Sequence, residues 1–275
     1  GTTQITINPT NNLESSTEYY VQIDSSAFDD TFGNSYAGIV NEWNQIGSDI
    51  DGEAYNDYSG NSVSLSSDGS VVAIGAYQND GNGTNSGHVR VYENNNGTWT
   101  QIGNDLDGES SYYYSGQSVS LSSDGSVVAI GEYNAYGTSS NAGQVRVYEN
   151  NNGTWTQIGD DIHGEAYADY SGYSVSLSSD GSVVAIGAYG NDATSTEAGH
   201  VRVYQNDNGT WTKIGDDIDG EAYYDRSGYS DNGSAVSLSS DGSVVAIGAH
   251  QNDGGGSNSG HVRVYEDIGR NTLAF

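Results

Sequence analysis

The chain has no cysteine, no methionine, a single proline, and seven basic residues against 37 acidic ones. Zero cysteine excludes disulfides, thiol catalysis and thiolate metal sites together. A formal net charge of −30 argues against nucleic acid and anionic membranes as partners, because phosphates need a basic surface. No apolar run approaches the roughly 20 residues of a membrane-spanning helix, so no membrane insertion is expected. Methionine is missing even at the first position, which fits a processed or trimmed product. Acidity combined with richness in Gly, Ser, Asn and Tyr points to an extracellular or cell-surface setting, saline or rich in calcium.

What the chain does contain is a repeat. Trp43, Trp99, Trp155 and Trp211 follow one another at intervals of 56 residues, a period that signals a propeller, solenoid or array. Between tryptophans the order is constant: a QIG or KIG run, an acidic DGE-type loop, SVSLSSDGSVVAIG, then HVRVY or QVRVY. Residues 62–66 and 71–75 are apolar-rich runs joined by Ser-Asp-Gly, as expected of a tight hairpin. His88 to Tyr92 alternates apolar and polar positions, and NNNGT turns the chain into the strand carrying Trp99. Four short strands per repeat is the pattern of a propeller blade.

Counted in that order, three repeats are complete, and the fourth, Val236 to Tyr265, lacks its outer strand. The strand EWNQIG at 42–47 is left over. The expected fold is therefore all-β: a four-bladed β-propeller over residues 40–266, its ring closed by the strand at 42–47, with a C-terminal tail at 267–275. The rival is an open array in which each repeat touches only its neighbours. A five-residue insertion, DNGSA at 231–235, maps to a loop. The repeats, as in SGYSVSLSSDGSVVAIGA at 171–188, resemble the FG-GAP type, which implies an extracellular propeller. They depart from it where Ser-Gly stands for Phe-Gly and where the Asp-x-Asp-x-Asp-Gly calcium loop is missing.

Residues 1–39 stand outside the repeat. Asn8-Pro9, TEYYVQID at 17–24 and AFDDTFGNSYAGI at 27–39 resemble the closing half of the bacterial Ig-like domain of S-layer proteins and large adhesins. Such a sandwich needs about seven strands and about 100 residues, and this segment supplies about three strands. The resemblance implies a partial Ig-like module completed by a strand of another subunit, as in donor-strand complementation. The assembly residues are Thr3, Gln4, Ile5, Thr6 and Ile7 with Tyr20, Val21 and Ile23, and the C-terminal RNTLAF is a second candidate donor. Repeated without closure, a head-to-tail contact yields a filament. The plainer reading is a fragment whose preceding half was removed.

The loops after the tryptophan strands carry alternating carboxylates beside a glycine, the oxygen ligands a hard cation such as calcium takes. They comprise Asp49, Asp51 and Glu53, with Asp57 nearby; Asp105, Asp107 and Glu109; and Asp217, Asp219 and Glu221. In the third copy His163 replaces the second acid, and Asp and Gly also suit turns for their own sake. Asp68, Asp124, Asp180 and Asp241 belong to hairpin turns. Arg90, Arg146, Arg202 and Arg263 recur at one strand position and should pair with carboxylates of the same or the next repeat. His88, His200 and His261 share a position that Gln144 interrupts. The loop tyrosines are expected to pack between blades or form an interface, with sugar stacking as the other reading. Asn82, Asn96, Asn152, Asn208 and Asn232 form sequons, and Asn-Gly-Thr is equally a hairpin turn.

Carboxylates are paired alike in every copy and no nucleophile elbow appears, so catalytic residues and an enzymatic role are not expected. The sequence points to a bacterial extracellular structural protein that assembles with other copies of itself into a pilus-like filament or surface layer by donor-strand complementation. The alternative is a calcium-dependent adhesin module, excised from a larger surface protein, that binds glycans or proteins.

Overall fold

A computed structural model of the chain describes residues 43–229 and 235–269. The chain divides into two compact units, Gly1–Gln45 and Ile46–Phe275. The N-terminal segment expected to be Ig-like and its expected assembly residues, residues 231–234 of the DNGSA insertion, and the tail from residue 270 lie outside the described residues.

Four antiparallel sheets make up the second unit. In the first, β1 (Ser62–Leu65), β2 (Val71–Ala76), β3 (His88–Asn95) and β4 (Thr98–Gln101) lie side by side, and β5 (Leu106–Asp107) also pairs with β3. The second repeats the plan with β6 (Ser118–Leu121), β7 (Val127–Glu132) and β8 (Gln144–Asn151), where β8 carries both β9 (Thr154–Gln157) and β10 (Ile162–His163). In the third, β11 (Ser171–Leu177), β12 (Val183–Ala188) and β13 (His200–Asp207) are followed by one long bulged strand, β14 (Thr210–Asp219). The fourth holds only β15 (Val236–Leu238), β16 (Val244–Ala249) and β17 (His261–Glu266). This strand order is the one the repeat predicts.

Local chemistry explains the turns. In the NNNGT hairpin Asn96 and Gly97 both have positive φ, 52° and 87°, the two-residue primed turn that matches the twist of the flanking strands. Asn94 Oδ1 accepts from Gly97 N at 2.8 Å. In the Ser-Asp-Gly hairpin, Asp68 Oδ1 accepts from Ser66 Oγ, Ser70 N and Ser70 Oγ at 2.7–2.9 Å.

Sheets stack through a contact made three times. Successive side chains of a strand point to opposite faces, so SVSL offers serines to one neighbour and Val with Leu to the other. Leu121 N donates to Ser64 Oγ at 2.9 Å, Leu177 N to Ser120 Oγ at 3.0 Å and Leu238 N to Ser176 Oγ at 3.0 Å. Ser67 N donates to Ser123 O, Ser123 N to Ser179 O and Ser179 N to Ser240 O, each at 2.8 Å. The approach is close: a Cβ on Gly131 would lie 1.9 Å from Gly172 O of the next sheet. Three apolar cores result. Val71, Ala73, Val89 and Val91 meet Leu121, Val128, Ile130 and Tyr148; Val127, Ala129, Val145 and Val147 meet Val175, Leu177, Val184 and Ile186; Ala185 and Val201 meet Val236, Val245 and Ile247.

The two end faces of the stack lack that cover. Val63 and Leu65 are 64% and 60% exposed, and Val262 and Val264 are 68% and 64% exposed, whereas Val89 and Val91, at the same repeat positions as the latter pair, are 0% and 1% exposed. The expected closure by a strand at 42–47 is corrected here. Residues 43–47 form no strand, β17 pairs among the described residues only with β16, and Trp43 is fully exposed. A lone strand has no ladder for its N–H and C=O groups until a sheet edge meets it.

Candidate functional site

Each sheet begins its third strand with a ligand-type residue followed two positions later by arginine, and the acidic loops converge on that place. His88 Nδ1 lies 3.9 Å from Glu53 Oε2 and 3.7 Å from Asp105 Oδ2, and Arg90 Nη1 lies 3.6 Å from Glu53 Oε1. Arg90 Nη2 also donates to Asp51 O at 2.7 Å. In the third sheet His200 Nδ1 lies 3.9 Å from both Asp217 Oδ2 and Asp219 Oδ1. Arg202 forks onto Asp217 with hydrogen bonds of 3.1 and 3.0 Å and also holds Glu165. In the fourth sheet His261 and Arg263 reach Glu221 at 3.7 and 3.6 Å. The arginines thus pair with carboxylates, as their acidic surroundings predict.

The second sheet solves the same place differently. Gln144 replaces the histidine, and Glu132 stands where Ala76, Ala188 and Ala249 stand in the other sheets. Glu132 is 0% exposed; it accepts from Gln144 Nε2 at 2.8 Å and from Arg146 Nε at 2.8 Å. Burial pushes its carboxyl up, against the pull of the Arg146 guanidinium. Tyr148, also touched by Arg146, is pushed up to about 12 by burial.

The candidate ligands that lie together are drawn from more than one loop. Among the described residues, the groups of three or more candidate ligands are Glu53 with His88 and Asp105, and Glu165 with His200 and Asp217. Glu53 and Asp105 therefore come together from successive loops, while Asp49, Asp51, Glu109 and Glu221 enter no such group. Asp107 and Asp219 sit directly across the strand pair from His88 and His200. Asp57 is buried and structural, accepting from Ala54 N at 3.0 Å and Asn79 Nδ2 at 2.9 Å. The histidines are buried and pushed below their ordinary value by desolvation, against the pull of Asp105 on His88 and Asp217 on His200. Convergence of histidine with acids from two loops escaped the sequence reading, although the shared position of His88 and His200 beside a recurring arginine was its signal.

Tyrosines run from sheet to sheet as a ladder. Tyr58 meets Tyr77 at 5.6 Å between ring centres, Tyr77 meets Tyr114 at 6.0 Å, Tyr114 stacks on Tyr133 at 5.4 Å, and Tyr170 stacks on Tyr189 at 5.0 Å. Arg226, at the position of Tyr58, Tyr114 and Tyr170, lies over Tyr189, Tyr224 and Tyr229. Apart from Tyr58, which is 54% exposed, these rings pack between sheets. Tyr55, Tyr112, Tyr167 and Tyr223 remain exposed.

A groove of about 540 Å³ opens between the third and fourth sheets, its apolar side lined by Val203, Ile214, Leu238, Val245 and Tyr265 and its rim by Asp216, Asp217, Asp219, Glu266 and Asp267. Their equivalents one sheet earlier are Val147, Ile158, Leu177, Val184 and Tyr204, where Trp211 completes the cluster. The groove is the place of the missing tryptophan. Trp99 Nε1 donates to Ile46 O at 2.8 Å, Trp155 Nε1 to Ile102 O at 2.9 Å and Trp211 Nε1 to Ile158 O at 2.8 Å.

Residues 48–92 match the model of the FG-GAP repeat. No curated protein matches the chain. Solved structures similar to it include hydrazine synthase of Kuenenia stuttgartiensis, at 13% identity and TM-score 0.46 over 80% of this chain and 49% of that one. TolB from Acinetobacter baumannii is similar at 14% and 0.41, over 74% and 43%. A Bacteroides fragilis protein with a provisional 6-phosphogluconolactonase assignment is similar at 15% and 0.48, over 77% and 51%. The chain spans about half the length of these three structures, and likenesses this distant carry no functional argument. Among the described residues no helix is long and apolar enough to cross a membrane. The chain carries FG-GAP-like repeats folded as a row of antiparallel sheets.

Proposed function

We propose that the chain is an extracellular structural protein whose copies join head to tail into a filament or surface layer by donor-strand-type complementation. Each copy contributes four blades of propeller type. One observation carries this reading: among the described residues the fourth sheet has no outer strand, and a spare copy of that strand's sequence, with Trp43 fully exposed, precedes the first sheet.

The fit is specified by the repeats themselves. Trp43 of one copy enters the groove of a second copy among Val203, Ile214, Leu238, Val245 and Tyr265, its Nε1 donating to Ile214 O. Ile46 O already accepts from Trp99, so the donated segment stays tied to its own first sheet. The same contact lays Val262 and Val264 over Val63 and Leu65, all four exposed in the single chain. Burying side chains of this size is worth about 1.5–3 kcal/mol each before the cost of association. A contact between two different surfaces propagates as a filament or closes as a ring of copies. A net charge of −30 opposes it until salt screens the repulsion. The segment with Thr3–Ile7 and Tyr20, Val21 and Ile23 is the rival donor: were it the joint, neither variant below would lose its polymers.

Sedimentation velocity and negative-stain microscopy on the full chain test the reading, beside the single variants Trp43→Ala and Val262→Asp. The parent should form polymers that grow with concentration and with salt, and each variant should be monomeric. A mixture of the two variants should give dimers, because each retains one intact end. A parent that stays monomeric at every concentration and salt level sinks the proposal.

A further inference from the structure

We infer that Glu165, His200 and Asp217, and their repeat equivalents Glu53, His88 and Asp105, are binding sites for a divalent transition-metal ion of the zinc class. In each site one imidazole nitrogen and two carboxylate oxygens lie within 4.8 Å of one another. The three residues come from the loop entering the sheet, the first position of its third strand, and the outer segment paired with that strand, where Asp217 lies within β14 and Asp105 just before β5, so an ion would fasten the entering loop to the sheet's outer edge.

Acid clusters are common in so acidic a chain, and two orphaned atoms set this one apart. His200 is 1% exposed, and its Nδ1 has no hydrogen-bond partner; Asp219 Oδ1, 3.9 Å away, is likewise buried and unpartnered. Buried polar atoms are rarely left so. At 3.9 Å the two are too far apart for a hydrogen bond, yet an ion with bonds of about 2.0–2.2 Å spans such a gap with modest closure. Asp217 Oδ2 lies at the same 3.9 Å from Nδ1, so the nitrogen faces two carboxylates, and Glu165 joins His200 and Asp217 in a group within 4.8 Å. The equivalent His88 Nδ1 lies 3.9 Å from Glu53 and 3.7 Å from Asp105; of the two sites, only that of His200 holds orphaned atoms.

Arginine fits an outer role. Arg202 holds Asp217 by two hydrogen bonds and also pairs with Glu165, as partners behind metal-binding carboxylates do when they fix ligand orientation. Lys213 likewise holds Asp217. The donor set decides the class of ion. Calcium takes six to eight oxygens, whereas one imidazole with carboxylates suits zinc, nickel, copper or cobalt. The second sheet serves as an internal comparison: it has Gln144 in place of the histidine and satisfies that glutamine with its own buried Glu132.

The test is calorimetric titration of chelator-treated full chain with Zn²⁺, beside His88→Gln, His200→Gln and the double variant. Glutamine is the second sheet's own residue there, and circular dichroism checks that each variant folds. The parent should bind one ion at each of the two sites, each single variant should lose one, and the double variant should bind at least tenfold more weakly. Electron paramagnetic resonance with Cu²⁺ should show nitrogen coupling in the parent and none in the double variant. A parent that binds no Zn²⁺, or a double variant that binds as the parent does, overturns the assignment. So does a parent Cu²⁺ spectrum without nitrogen coupling, since surface carboxylates would then hold the ion.

Discussion

Glu132 Oε2 accepts a hydrogen bond from Gln144 Nε2 at 2.8 Å across a directly opposed strand pair. At the same two positions the other sheets carry Ala76 with His88, Ala188 with His200 and Ala249 with His261. One sheet has exchanged a small residue and an imidazole for a carboxylate and an amide, and both members changed together. The exchange sets a buried anion beside Arg146, where the other sheets use acids from their loops.

That coupling predicts a rescue. Glu132→Ala should destabilise by about 3–5 kcal/mol, because it leaves the Arg146 charge buried without its partner. Adding Gln144→His restores the arrangement of the other three sheets and should recover a large part of the loss. Urea unfolding of the single and double variants measures this, and a double variant no more stable than Glu132→Ala would show that the two positions are not coupled.

A second internal pairing makes a similar prediction. Asp169 is 2% exposed and accepts from Ala166 N at 2.9 Å and from Asn191 Nδ2 at 3.2 Å; Asp225 with Asn252 repeats the contact at 3.0 Å. In the second sheet both partners differ at once, as Tyr113 and Ala135. Asp169→Ala leaves a backbone N–H and an amide unsatisfied and should cost about 1–3 kcal/mol. Asn191→Ala should cost less, and the two changes together should fall short of their sum.

Much of this was legible in the sequence because each strand position is written four times. Val-Ser alternation and Asn-Gly turns gave strands and hairpins, and the leftover EWNQIG marked the incomplete sheet. Closure through that strand was misjudged because the count of strands carries no geometry: residues 43–47 form no strand, and among the described residues β17 pairs only with β16. The candidate metal sites were half legible. Asp105 and Glu53 stand in separate loops, so reading each loop alone hid their convergence on His88. Nothing in spacing reveals that Asp57 is buried against Asn79 rather than facing a cation.

The serine-capped turns set a pH dependence. Hydrogen bonds from Ser70 and Ser66 hold the Asp68 carboxyl at about 2, and those from Ser239 and Ser243 hold Asp241 at about 2. Depressed values mean that the unfolded chain takes up protons first as pH falls. The contribution is therefore complete above about pH 4, where an unperturbed aspartate titrates, and is lost toward about pH 2. Thermal melts of Asp68→Asn and Asp241→Asn should lie below the parent at neutral pH and converge on it through that acid window. A gap that stays constant down to pH 2 would show that the carboxylate charge contributes nothing to the turns.

One side chain at one repeat position, met in opposite surroundings, gives the last prediction. Val89, Val145 and Val201 are 0% exposed between sheets, and Val262 is 68% exposed at the open end. Val201→Asp buries an unpaired carboxylate in the third core, a change that costs several kcal/mol and should unfold at least that end of the stack. Val262→Asp places the same group in water and should leave the melting temperature of dilute protein, below the concentration of assembly, where the parent has it. The difference should reappear only at high concentration, where the parent gains stability by burying Val262 against a second copy and the variant does not. Melting curves at two concentrations separate the alternatives. If Val262→Asp melts low even when dilute, Val262 is covered within its own chain and the open end is not a joint between copies.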